Sequence, residues 1–164
     1  MTSPVPAAAA SVVHALVARG ETFAAVESLT GGLIASTVVE MAGVSAVFRG
    51  ALVVYATDLK ESLAGVPGTL LDERGPVDAD VASALAAGGR ERCKADWAVA
   101  TTGVAGPEPQ GGKPVGTVYV AVAGPYGSVV RQLRLDGTRA AIRAGALAAA
   151  LRLLADQVHA APTG

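Results

Sequence analysis

Sulfur, aromatic and basic residues are scarce in this chain of 164 residues. The single cysteine, Cys93, excludes an intrachain disulfide and fits a reducing compartment. It stands in Gly89-Arg90-Glu91-Arg92-Cys93-Lys94 with no histidine near it in sequence, which suits an inert thiol better than a nucleophile. Only two histidines occur, His14 and His159, and neither belongs to a Ser-His-Asp arrangement. The acids Asp78, Asp80, Glu91 and Asp96 lack ligand spacing with histidine or cysteine, so no metal and no cofactor are expected. Three tyrosines, two phenylalanines and one tryptophan make a poor base-stacking platform. The net charge of −1, with acids and bases intermixed, offers no basic face, so nucleic acid is not an expected partner. No apolar run is long enough to span a membrane, and Met1 to Ala10 lacks the basic start and long apolar stretch of a signal peptide. A cytoplasmic protein that does not enter membranes is the expectation.

What the chain does contain is apolar residues, 51% of the total, with alanine prominent among them. That supports one packed domain over residues 1–164, its core from about 6 to 158, with no linker and no internal repeat. The periodicity predicts a helix over 6–18, ended by Gly20, and a short buried strand over 22–27. Helical spacing returns over 31–41, so Ser28 falls at a strand-to-helix junction. A second strand is predicted over 50–55 and a short helix over 58–63, stopped by Gly65 and Pro67. Asp78 caps a helix running to about Arg92, and 96–102 is apolar enough for a central strand. A Gly- and Pro-rich loop over 103–116 precedes two strands, 116–122 and 128–135, joined as a hairpin through Gly124-Pro125-Tyr126-Gly127. The alternation of the last strand suits a sheet edge. Thr138 caps a final helix, and the tail from Ala160 is expected to fray. Interleaved helices and strands followed by a late hairpin predict an α/β fold, a mixed sheet with helices on both faces.

Chemistry centres on Glu27-Ser28-Leu29-Thr30-Gly31-Gly32. A serine after a strand sits where α/β folds form their sites. The backbone N–H groups of residues 29–32 could stabilise an oxyanion or hold a phosphate, and the glycines let a ligand approach. A plainer account also exists: Ser28 or Thr30 caps a helix. On this segment alone the cap is the simpler explanation.

A serine nucleophile needs a base, and a lysine can serve. Of Lys60, Lys94 and Lys113, only Lys60 follows the second strand by a few residues, where a parallel neighbour would bring it near Ser28. Burial or a nearby cation would have to lower its pKa. Tyr55 could hydrogen-bond within the same site. Thr101-Thr102-Gly103-Val104-Ala105-Gly106-Pro107 ends the third strand at that edge; it matches neither a Walker loop nor a Gly-x-Gly-x-x-Gly fingerprint. Arg139 and Arg143, one turn apart on the last helix, could bind a phosphate or carboxylate, or could be surface residues.

Four segments together resemble a known family: Ala25 to Gly32, Gly50 to Lys60, Thr102 to Pro107 with Lys113 to Val118, and Gly137-Thr138-Arg139 with Ile142-Arg143. In order and spacing, from about Val12 to Leu154, they are similar to the C-terminal domain family of the competence-damage protein CinA. Stand-alone members of that family are nicotinamide-nucleotide amidohydrolases of the PncC type. The resemblance implies a three-layer α/β/α sandwich, no metal, and hydrolysis of the carboxamide of nicotinamide mononucleotide to nicotinic acid mononucleotide and ammonia, a step of pyridine-nucleotide salvage. It makes Ser28 the nucleophile and Lys60 its partner, with Tyr55 and Thr102 completing the catalytic set. Thr30, Gly31, Gly32, Gly103, Gly106 and either Arg139 or Arg143 are then expected to contact substrate. A homodimer is implied too, and the half-apolar edge strand could pair with a copy. The chain departs from the family pattern at Leu29, where cysteine is common, at Asp78, where serine is common, and at Pro107 to Gly112, which is usually richer in glycine. The loop change bears on substrate preference. Two other functions suit the same residues: amidase action on another nucleotide or carboxamide, and nucleotide or partner binding without turnover.

Overall fold

The computed structural model describes residues 4–163; Met1 to Ser3 and Gly164, and with them the ends of the expected 1–164 domain, lie outside the described residues. The elements in chain order are α1 (Pro4–Arg19), β1 (Phe23–Glu27), α2 (Leu33–Val38), a 3₁₀ turn (Val44–Ala46), β2 (Phe48–Val53), α3 (Thr57–Ser62), α4 (Gly68–Arg74), α5 (Ala79–Cys93), β3 (Trp97–Gly103), β4 (Thr117–Gly124), β5 (Gly127–Arg134) and α6 (Arg139–Ala160). The five strands form one sheet in the order β2-β1-β3-β4-β5. β1 pairs parallel with both β2 and β3, whereas β3–β4 and β4–β5 are antiparallel, so the sheet is mixed as expected.

Each face of the sheet is covered by helices, because the buried strands are apolar on both sides. Phe23, Ala25, Val99, Val118 and Val120 face α1, α2 and α6, with Leu16, Ile34, Leu151 and Leu154 between the layers. The alternate residues Val26, Ala100, Tyr119 and Ala121 face the other layer, meeting Leu71, Val81 and Leu85. Glycines bring α5 close in. A Cβ on Gly88 would stand 1.7 Å from the Ala64 carbonyl oxygen, and one on Gly89 would stand 2.5 Å from Val26 Cγ2. The edge strand β5 is exposed or half-buried along its whole length, as suits an edge, but burial does not alternate: the adjacent Val129 and Val130 are both half-buried, and Arg131 and Gln132 are both exposed.

Both predicted caps form. Asp78 accepts from the Asp80 N–H at 2.8 Å, and Thr138 Oγ1 accepts from the Ala141 N–H at 3.1 Å. Three local expectations are corrected. The helix predicted over 31–41 is only six residues long, because Gly31 and Gly32 take φ of 56° and 106° and delay its start to Leu33. α4 begins directly after Pro67, which starts a helix here instead of only ending one. The tail does not fray over 161–162: Arg19 donates to the carbonyls of Ala161 and Pro162 at 3.4 and 3.0 Å. No helix among the described residues is long and apolar enough to cross a membrane.

Candidate active site

The three parallel strands end at one edge of the sheet, and their following segments converge there. β1 continues into Ser28. β2 runs through Val54 and Tyr55 into α3, and β3 delivers Thr102 to Gly106. A small cleft of about 110 Å³, open to solvent, lies between them. Ser28, Leu29, Tyr55, Lys60, Thr102, Gly103, Gly106 and Arg139 line it, so most of the predicted residues meet.

At its floor Lys60 Nζ lies 3.0 Å from Ser28 Oγ. Lys60 stands on α3, whose start four residues past the end of β2 aims its long side chain back under the sheet edge. It is only 1% exposed, and Ser28 is 7% exposed. Nζ also donates to the carbonyl oxygens of Val54 at 2.8 Å and Tyr55 at 3.3 Å. No carboxylate pairs with it: the described ion pairs, Arg19–Glu21 and Arg74–Asp80, lie elsewhere. Burial without a counter-ion penalises the ammonium form and lowers the Lys60 pKa from 10.5 to about 8. A neutral amine fits this setting well. In the neutral form its two hydrogens would serve the two carbonyls and leave its lone pair for the serine hydroxyl.

Glu27 and Ser28, neighbours at the end of a strand, serve opposite faces of the sheet. The Glu27 carboxylate, fully buried, accepts the N–H groups of Ile34 at 2.8 Å and Ala35 at 3.1 Å. It therefore caps α2 from a strand and fixes the turn that carries Ser28. The helix N-terminal amides are thus already occupied, and the free ones belong to the turn itself. The N–H groups of Leu29 and Thr30 have no protein acceptor among the described residues, whereas Gly31 donates to the Ser28 carbonyl at 3.1 Å. Thr30 does not face the cleft; its hydroxyl meets that of Thr101 at 2.9 Å in the interior. Gly32 provides the left-handed position before α2.

The two arginines separate cleanly. Arg139 lies at the cleft mouth, donating to Tyr55 Oη at 2.9 Å and to the Gly106 carbonyl. Arg143 turns away and holds the serine turn from outside, donating to the carbonyls of Leu29 at 2.8 Å and Thr30 at 3.1 Å. Thr102 lines the cleft, but its hydroxyl donates to the Pro76 carbonyl at 2.6 Å and anchors the loop before α5. Glu108 and Gln110 also reach the cleft. Spacing does not single out Glu27, Thr101, Glu108 or Gln110 as site residues: Glu27 and Thr101 lie in strands that lead to the site but alternation gives them no role of their own, and Glu108 and Gln110 lie in a loop without periodicity. Among the described residues, no three His, Cys, Asp or Glu side chains gather to hold a metal.

Fold and site together define an α/β domain with a buried serine–lysine pair at the carboxyl edge of three parallel strands. The chain belongs to the CinA C-terminal domain family, whose model matches residues 6–158. A CinA-like protein of Frankia casuarinae is 49% identical over 143 residues, which make up 87% of this chain and 33% of that protein. One of Geobacter sulfurreducens is 52% identical over 128 residues, 76% of this chain and 30% of that protein. The chain thus spans about a third of the length of these relatives. The competence/damage inducible protein CihA from Agrobacterium tumefaciens superposes with a TM-score of 0.91 at 33% identity, covering 97% of this chain and 98% of that one. A CinA superfamily protein from Escherichia coli gives 0.89 at 27% identity, over 92% and 89% of the two chains. The three-layer architecture is that of these structures.

Proposed function

We propose that this domain hydrolyses the carboxamide of nicotinamide mononucleotide by acyl transfer to Ser28. The 3.0 Å contact between Ser28 Oγ and a buried lysine without a counter-ion carries the reading. Neutral Lys60 takes the hydroxyl proton as Oγ attacks the carboxamide carbon. The resulting oxyanion accepts from the Leu29 N–H, which lines the cleft beside the nucleophile and has no protein acceptor among the described residues. Protonated Lys60 then passes its proton to the departing nitrogen, ammonia leaves, and an ester of Ser28 remains. Water, giving a proton to Lys60, attacks that ester; Oγ recovers a proton, and nicotinic acid mononucleotide is released. Thr102, whose proton is committed to Pro76, holds the cleft wall and leaves oxyanion stabilisation to the Leu29 amide. Arg139 and the N–H groups of Ala105 and Gly106, which have no protein acceptor among the described residues, suit the nucleotide phosphate.

The depressed lysine pKa gives the reading a pH signature. At pH 7 about one Lys60 in ten is neutral with a pKa of about 8, against about one in 3,000 at 10.5. Ammonia release from nicotinamide mononucleotide, followed by kcat/KM from pH 6 to 9.5, should rise about tenfold per pH unit and level off above about 8. Nicotinamide riboside, lacking the phosphate, should react with a much higher KM. No ammonia above the protein-free blank at any pH would sink the assignment; a flat profile would remove Lys60 as base.

A further inference from the structure

Among the described residues, Glu108 is the one acidic side chain lining the cleft. It is exposed, yet its backbone is closely constrained. Pro107 and Pro109 flank it, and a residue before proline is restricted to extended conformations. Arg139 anchors the preceding Gly106 carbonyl. On the other side Gln110 and Lys113 exchange both backbone hydrogen bonds, at 3.1 and 2.9 Å, across Gly111 and Gly112 at φ of 55° and 74°. The loop is therefore pinned at both ends. Lys113, the basic residue nearest in sequence, sits with its ammonium 6.0 Å from the Tyr119 ring centroid, and the described ion pairs do not involve Glu108.

The cleft consequently carries opposite charges on separate supports, Arg139 on α6 and Glu108 on the loop. A carboxylate beside the nucleophile's cleft does nothing for a phosphate, which it repels, and nothing for the amide nitrogen, which is neutral. It does suit a cation attached to the carboxamide. We infer that Glu108 is a specificity-determining residue that selects carboxamides carried on a positively charged ring over those on a neutral ring. The inference rests on the amidase reading for where the carboxamide sits, since a ring bonded to that carbon occupies the body of the cleft.

The test pairs nicotinamide mononucleotide, whose pyridinium is cationic, with its 1,4-dihydro form, which keeps the phosphate but has a neutral ring. Binding is measured calorimetrically on Ser28→Ala protein so that turnover does not intervene. The oxidised form should bind about fivefold more tightly, the scale of one partly screened charge pair, and adding Glu108→Gln should bring the ratio close to one, mainly by weakening the oxidised form. Glu108→Asp should restore part of the preference. 1-Methylnicotinamide against nicotinamide, monitored by NMR titration, repeats the comparison without phosphate. An unchanged ratio in Glu108→Gln, or no preference in either pair, overturns the inference even if wild-type protein releases ammonia from the mononucleotide. If the mononucleotide is not turned over but the cationic rings are preferred through Glu108, the substrate assignment fails and this one stands.

Discussion

Replacement of Ser28 by alanine is expected to lower kcat for ammonia release from nicotinamide mononucleotide by at least about 10⁴-fold, the scale seen when a catalytic serine is removed. The loss is chemical and leaves the fold intact. The hydroxyl is small and buried, and the side chain it contacts, Lys60, keeps its bonds to the Val54 and Tyr55 carbonyls. The turn keeps its shape too, because Glu27 and Arg143 hold it through bonds that do not use the serine side chain. Substrate affinity should therefore change little while turnover collapses. The measurement is kcat beside a calorimetric Kd for each protein, with mass spectrometry of the wild type quenched during turnover to locate an acyl group on the peptide containing Ser28. A variant turning over within tenfold of wild type would show that the nucleophile lies elsewhere.

Lys60→Met should cost about 10²- to 10⁴-fold in kcat, the usual contribution of a positioned general base. Here stability and activity part company. Methionine removes a buried amine whose pKa depression costs the native state about 3 kcal/mol at neutral pH. It also strips two carbonyls of a donor, at about 1–3 kcal/mol each if they stay dry. The two effects oppose each other and are of similar size, so thermal melting should move only a few degrees. Lys60→Arg sharpens the test. Arginine keeps a cation and donors at the site but cannot give up its proton near neutral pH, so it should be as inactive as methionine. Wild-type rates in Lys60→Arg would mean that positive charge alone, not proton transfer, is what the position supplies.

Much of this site is legible in the sequence because parallel strands impose it. Once β1 and β2 are neighbours running the same way, Ser28 and a residue a few positions past β2 must share an edge, and only Lys60 has the reach and chemistry. The arginines were not separable in that way. Arg139 and Arg143 lie four residues apart on one face, and only the placement of the loop at Gly106 and the turn at Leu29 assigns each to its partner. The capping role of Glu27 was hidden for a different reason: the amides it caps lie seven and eight residues downstream, beyond the range of ordinary cap patterns. The apolar period over 31–41 outruns helix α2, because Gly31 and Gly32 delay its start to Leu33 and the chain leaves it after Val38 in tight turns, with the Glu40 and Met41 N–H groups donating to the Thr37 and Val38 carbonyls. Helix α4 was missed because it is seven residues long and buries a single leucine, Leu71, too little for a periodic signal.

The unpaired amine beneath the cleft also ties the folded chain to hydrogen-ion activity. Lys60 titrates at about 8 when folded and near 10.5 when the chain is open. Between those values the open chain still holds a proton that the native protein has given up, so folding there expels up to one proton into the solvent. Its penalty is greatest below about 8 and is relieved as pH climbs through that window. The difference in melting temperature between wild type and Lys60→Met should accordingly shift in favour of wild type from pH 7 to 9.5, and a pH-independent difference would mean that the amine titrates normally. Catalytic readiness and alkaline firmness would then have a single origin, a native state that behaves as a weak acid.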